Sequence, residues 1–236
     1  MDARLPVLPP DSAFATDDAA LYFQHLNARL YEILEQLRPA SGWQDMLADL
    51  VRGKPGGTSP TWGTFKNGTE AWKFADSQVE SLHVSFHMPH DLAFTFPSAD
   101  GTVGAPKLYP HIHWSPSGTN TGTVRFGIEY TYARGYGIDA FPASTTIYLE
   151  ASGSGVDCDH LITETTDAAA IEDATHETDA LMKVRVFRDG THANDTFTGG
   201  VFIHYVDLHY FSDGLLTNER NRSAGALPWT KQALIP

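Results

Sequence analysis

The segment Val201-Phe-Ile-His-Tyr-Val-Asp-Leu-His-Tyr-Phe211 constrains the fold more than any other part of the chain, because it is eleven residues long and almost uncharged on both of its faces. A strand of this kind has to be covered on both sides, by a second sheet on one and by a neighbouring element or another subunit on the other. Tyr109-Pro-His-Ile-His-Trp114 has the same character. Together the two segments predict a β-sandwich that associates with other chains.

The remaining pattern agrees. In Val79–Met88, Leu82, Val84, Phe86 and Met88 alternate with His83, Ser85 and His87, which gives one buried and one polar face. In Thr123–Ala133, Val124, Phe126, Ile128, Tyr130 and Tyr132 oppose Arg125 and Glu129. Further strands are expected at Trp62–Lys66, Glu70–Ala75, Leu108–Ser115, Thr145–Glu150, His160–Thr165, Leu181–Arg188 and Gly199–Phe211, with Asn67-Gly68 as the hairpin turn between the first two. Many short strands separated by Gly, Asn and Asp predict a mainly β domain, a β-sandwich or jelly roll, over residues 61–236.

Residues 1–60 read differently. Pro6, Pro9 and Pro10 favour an extended arm over residues 1–16. From Thr16 the residues Leu21, Leu26, Leu30, Ile33, Leu34 and Leu37 recur at helical spacing until Pro39, and Trp43, Met46, Leu47 and Leu50 predict a second short helix at Trp43–Val51. The expectation is an arm and a helical hairpin that anchor the β domain, followed by a Gly- and Pro-rich linker at Lys54–Pro60.

Composition narrows the function classes. A net charge of −13 with no basic cluster argues against a nucleic-acid partner, because a phosphate backbone would be repelled. No apolar run reaches membrane-spanning length and Met1-Asp-Ala-Arg-Leu-Pro does not read as a signal peptide, so no membrane partner and synthesis in the cytoplasm are expected. The sequons at Asn67, Asn194 and Asn221 then read as unused. The single cysteine, Cys158, excludes an intrachain disulfide and reads as a small hydrophobe flanking a strand.

Eleven histidines make metal binding the chemistry to weigh. His111 and His113 sit two apart on one strand, so their imidazoles share a face that Ile112 and Trp114 do not. That spacing serves a metal ion, either with Glu129 or His204 as a further ligand in a cupin-type enzyme, or as copies gathered on a threefold oligomer axis. The plainer reading is a hydrogen-bonded pair and no cofactor. His83 and His87 share a face but stand about 13 Å apart along a strand, too far for one ion. A straight strand puts His204 and His209 on opposite faces, and lets Asp207 and His209 share one as a carboxylate–imidazole pair. No nucleophile motif accompanies them, so no catalytic residue is assigned. Tyr130, Tyr132, Tyr136, Tyr148, Tyr205, Tyr210 and Trp114 offer flat rings that would suit a carbohydrate- or receptor-binding module.

Five segments carry a resemblance. Phe86-His-Met-Pro-His-Asp91, Leu108-Tyr-Pro-His-Ile-His-Trp-Ser115, Val124-Arg-Phe-Gly-Ile-Glu-Tyr130, Val184-Arg-Val-Phe-Arg-Asp-Gly190 and Phe202-Ile-His-Tyr-Val-Asp-Leu-His-Tyr210 resemble, in this order, β-rich virion structural proteins of tailed bacteriophages. The resemblance runs from Trp72 to Phe211 and implies a non-enzymatic virion component on capsid, neck or tail. It further implies a homo-oligomer, with a trimer as one form, that contacts other virion proteins.

Overall fold

The computed structural model describes residues 25–30, 42–93, 96–97, 103–104, 106–172, 177 and 179–212. The chain divides into two units, residues 1–40 and 41–236. In the first, residues 25–30 are helical, within the helix expected from Thr16 to Leu37. The arm at 1–16, the rest of that helix and the sequon at Asn221 lie outside the described residues.

The second unit is mainly β. Its strands are β1 (Gly42–Asp49), β2 (Lys54–Pro55), β3 (Thr61–Thr64), β4 (Glu70–Phe74), β5 (Val79–His87), β6 (Phe96–Pro97), β7 (Val103–Gly104), β8 (Lys107–Pro116), β9 (Thr123–Ala133), β10 (Thr145–Ser152), β11 (Leu161–Glu164), β12 (Ile171–Glu172), β13 (Leu181–Asp189) and β14 (Val201–Ser212). One antiparallel sheet runs β11-β8-β14-β4-β3, with β1 along β14 and β12 on β8, and a second runs β10-β9-β13-β5-β2. The long strands pair as a folded ribbon: β4 with β14, β5 with β13, β8 with β11 and β9 with β10.

The two sheets share one core. From the first come Phe74, Ile112, Trp114, Val206 and Leu208, and from the second Leu82, Phe86, Phe126, Ile128, Val184 and Val186. Trp114 meets Phe126 edge-on across the gap, with ring centroids 5.4 Å apart, and its indole N–H donates to Thr163 Oγ1 at 2.9 Å. A buried Trp is stable only with such a partner for its N–H. The expected β3–β4 turn also forms: Asn67 and Gly68 have φ of 49° and 86°, the two positive values a tight hairpin turn needs.

The helix expected at Trp43–Val51 is not formed. Residues 42–49 are strand β1, antiparallel to β14 with Met46 opposite Leu208 and Ala48 opposite Val206, and a short 3-10 turn follows at Leu50–Arg52. The residues satisfy both periods, since Met46 and Ala48 alternate with Trp43, Asp45 and Leu47 as well as falling near a helical stripe. The open edge of β14 decides for the strand, because its unpaired N–H and C=O groups gain partners there. Strand β1 therefore lies in the β unit, upstream of the boundary expected at residue 60.

The end of the core is closed by a buried ion pair. Arg188, on the inward face of β13, donates to both oxygens of Asp195 at 2.8 and 2.9 Å and to the carbonyls of Phe197 and Gly199 at 2.5 and 2.6 Å. Neither side chain is exposed to any useful extent. The guanidinium thereby fastens the loop after β13 against the start of β14. On the outer face of the second sheet, the ring of Phe187 lies over Gly127 so closely that a Cβ would fall 2.1 Å from it. Only glycine admits that cross-strand contact.

Candidate functional site

The outer face of the first sheet collects five histidines. On β8 the odd residues Tyr109, His111 and His113 face outward while Leu108, Ile112 and Trp114 enter the core, so the predicted sharing of a face by the two imidazoles is found; their ring centroids are 5.1 Å apart. Register then brings in the neighbours. Asp207 on β14 lies opposite His111, and Tyr205 opposite His113. Glu164 and Ile162 on β11 lie opposite the same two histidines.

A shift in register between Ile203 and Tyr205 corrects the expectation for β14. A bulge inserts one residue and turns the rest of the strand over. Ile203 and Val206 both enter the core, and His204 and Tyr205 both face outward. His204 therefore joins the face that carries His209 instead of opposing it. Its Nε2 lies 2.9 Å from Ser115 Oγ, and its ring faces Phe65 and His160.

Asp207 is the centre of the arrangement. Its Oδ2 lies 3.3 Å from His111 Nε2 and 3.2 Å from His113 Nε2. The side chains of His111 and Asp207 are 2% and 3% exposed. His111 Nδ1 and Asp207 Oδ1 are buried without a hydrogen-bond partner among the described residues. His113 Nδ1 in turn lies 2.8 Å from Nε2 of His160, whose ring stacks on it. His209 does not pair with Asp207 as the spacing suggested. It sits between two other carboxylates, with Nε2 2.7 Å from Asp45 Oδ1 and Nδ1 against Glu164, while its ring covers His111 at 4.0 Å.

The titration of these groups follows their surroundings. Burial draws His111 down, but the hydrogen bond and charge of Asp207, with the Tyr109 backbone and Asp45, outweigh it and raise its pKa. Burial is the main reason His113 is lowered, with Asp207 opposing and the charges of His111 and His160 adding. Burial also lowers His204, helped by His160 and His113. A base whose folded pKa is depressed adds stability that is complete above its ordinary value, here 6.5, and that is lost as pH falls below it. The wild type is accordingly expected to lose more stability than His204→Gln between about pH 7.5 and about pH 5. Urea titrations at the two pH values test this, and equal losses in the two proteins would contradict it.

Other expected partners are elsewhere. Glu129 is on the second sheet, where Ser144 donates to it at 2.6 Å and Arg185 at 2.8 Å, so it cannot complete a site with His111 and His113. His83 and His87 are exposed on that same sheet, and His87 pairs with Asp179 at 3.1 Å. Of the aromatic residues, Trp114 and Tyr210 are buried. Tyr148, beneath Arg125, and Tyr205 are on opposite sheets and do not share a groove. Burial, then a hydrogen bond to Asp157, pushes the Cys158 thiol up, away from the reactive thiolate form.

His160 and Asp45 escaped the sequence reading altogether, and Asp207 was paired with the wrong histidine. The available signal was parity: His-x-His on one strand and Asp-x-His on another match if the strands are neighbours. Only the register makes them so.

No family model matches the chain, and no curated protein matches it. Among solved structures the chain is similar to TmCBM61, determined in complex with beta-1,4-galactotriose, at 13% identity over 75% of this chain and 91% of that one. The TM-score of 0.25 is too low for that likeness to bear on fold or function.

Proposed function

We propose that the chain is a non-enzymatic structural subunit that assembles with copies of itself through the outer face of the first sheet, as a component of a tailed-phage particle. The observation that carries the reading is the apolar rim of that face. Leu47 on β1, Ile162 on β11 and Tyr205 on β14 are 63%, 58% and 49% exposed around His111, His113 and Asp207. Tyr205 and Ile162 stand on either side of His113 in one row, and Leu47 lies opposite Asp207. An exposed apolar patch of this kind suits a second copy of the same surface, or the next copy around a ring.

Support for the particle is of a coarser kind. The nesting of β9–β10 within β8–β11, of these within β5–β13 and of all within β4–β14 supports reading the domain as a jelly roll, an architecture found in viral capsid domains, lectins and cupins. Fold alone does not select among those. The virion choice rests on the resemblance over Trp72 to Phe211, and the residues before β1 are assigned the attachment to other virion proteins. The cupin-type enzyme is disfavoured because the space between the sheets is filled by Trp114, Phe126 and their neighbours, while the histidines face outward. A carbohydrate module is disfavoured by the scattering of the exposed tyrosines.

Light scattering on the purified chain is expected to give a mass above that of one subunit, with a trimer as one form. Leu47→Ser together with Tyr205→Ser is expected to yield a monomer that keeps the wild-type circular dichroism, since both side chains face solvent within one chain and no carboxylate is added opposite Asp207. A wild-type monomer at every concentration would remove the basis for assembly, and absence of the chain from purified particles would remove the virion reading.

A further inference from the structure

We propose that His111, His113 and Asp207 of a single subunit bind one divalent cation of the zinc class, through the two Nε2 atoms and a carboxylate oxygen. The inference goes beyond the assembly reading and does not need it, because all three ligands come from one chain.

Distance is the first argument. Both imidazole nitrogens aim at one oxygen from 3.2 and 3.3 Å. Hydrogen bonds between an imidazolium and a carboxylate are shorter, about 2.7–2.9 Å. A tetrahedral zinc ion with bonds of about 2.0–2.1 Å holds its ligand atoms about 3.3 Å from one another. The two nitrogen–oxygen separations are thus those that an ion held between these atoms would impose.

The second argument is what the buried groups lack. Asp207 is desolvated, yet Oδ1 has no partner among the described residues and Oδ2 has only the two imidazoles. A buried carboxylate is costly unless a positive charge or several donors satisfy it. No Lys or Arg pairs with it among the described ion pairs, so its balancing charge comes from a bound cation or, in the absence of one, from a protonated imidazole.

The surroundings are those of a ligand set. His113 Nδ1 is held by His160 at 2.8 Å, the outer contact that fixes the ring and leaves Nε2 free to coordinate when Nδ1 carries the proton. Two imidazoles and one carboxylate prefer borderline ions such as Zn2+, Co2+ or Ni2+ over Mg2+ or Ca2+. His209 is not a ligand, because each of its ring nitrogens already faces a carboxylate, Asp45 or Glu164. Its ring shields one side of His111.

The test is titration of the full chain, stripped with a chelator, with Co2+ and Zn2+, followed by calorimetry and by the visible absorption of four-coordinate Co2+. One saturable equivalent per chain is expected. His160→Ala should weaken binding by about 10–100-fold, as loss of an outer contact does, and His113→Ala should weaken it further. His83→Ala, on the other sheet, should leave it unchanged. Asp207→Asn removes the charge but risks the fold, so circular dichroism must accompany it, and His113→Ala, at the less buried ligand, carries the test if that variant is unfolded. Absence of saturable binding in the wild type would overturn the site. So would wild-type affinity in His113→Ala, or loss with His209→Ala while His113→Ala still binds.

Discussion

Arg188→Met is expected to lower the unfolding free energy by about 3–5 kcal/mol, the loss typical when one member of a buried ion pair is removed. Methionine fills much of the same volume, so the effect reports the lost charge and hydrogen bonds more than lost packing. Asp195 would remain almost fully buried with neither guanidinium contact, retaining among the described bonds only the N–H of Arg125 at 3.1 Å. The carbonyls of Phe197 and Gly199 would lose their donors as well. Urea unfolding should show a lower midpoint with an unchanged slope, because the core exposed on unfolding is the same. Replacing both residues, Arg188→Met with Asp195→Leu, should recover a large part of the loss, since no charge is then left without a partner. A single variant within about 1 kcal/mol of wild type would mean that the pair does not close the end of the sandwich.

Trp114→Ala should cost a similar amount, about 3–5 kcal/mol, for a different reason. The ring is wholly buried between the sheets against Phe126, and its removal leaves a cavity that two rigid sheets cannot collapse to fill. Trp114→Phe separates packing from polarity. It keeps a ring at the position but withdraws the donor from Thr163, so a loss of about 1 kcal/mol beyond the volume change is expected. Because Trp114 adjoins His113 on β8, Trp114→Ala should also disturb the histidine face. Trp114→Phe should leave it in place. Denaturant titration with circular dichroism reads both, and a loss in Trp114→Ala no greater than in Trp114→Phe would argue against a tightly packed interface between the sheets.

Most of the strands were legible because a sheet with one buried face writes a period of two into the sequence. Thr123–Ala133 is a strand at the expected bounds, and the other eight expected strands lie within a few residues of theirs. Trp43–Val51 was misread because its apolar residues fit two periods at once, and pairing with β14, more than 150 positions later, chose between them. His204 was misplaced because a one-residue bulge leaves no compositional mark, yet it reverses every side chain beyond it.

Local chemistry was therefore enough for the class of fold, the face shared by His111 and His113, and the Asn67-Gly68 turn, since alternation and backbone preference act between near neighbours. Which carboxylate stands before those histidines was settled only in three dimensions. Asp207 reaches them through the register of β8 against β14, and His160 through the approach of the segment before β11. Strand pairing is a cooperative choice among distant segments, made by hydrogen-bond satisfaction and core packing over the whole sheet, so no window of sequence contains it.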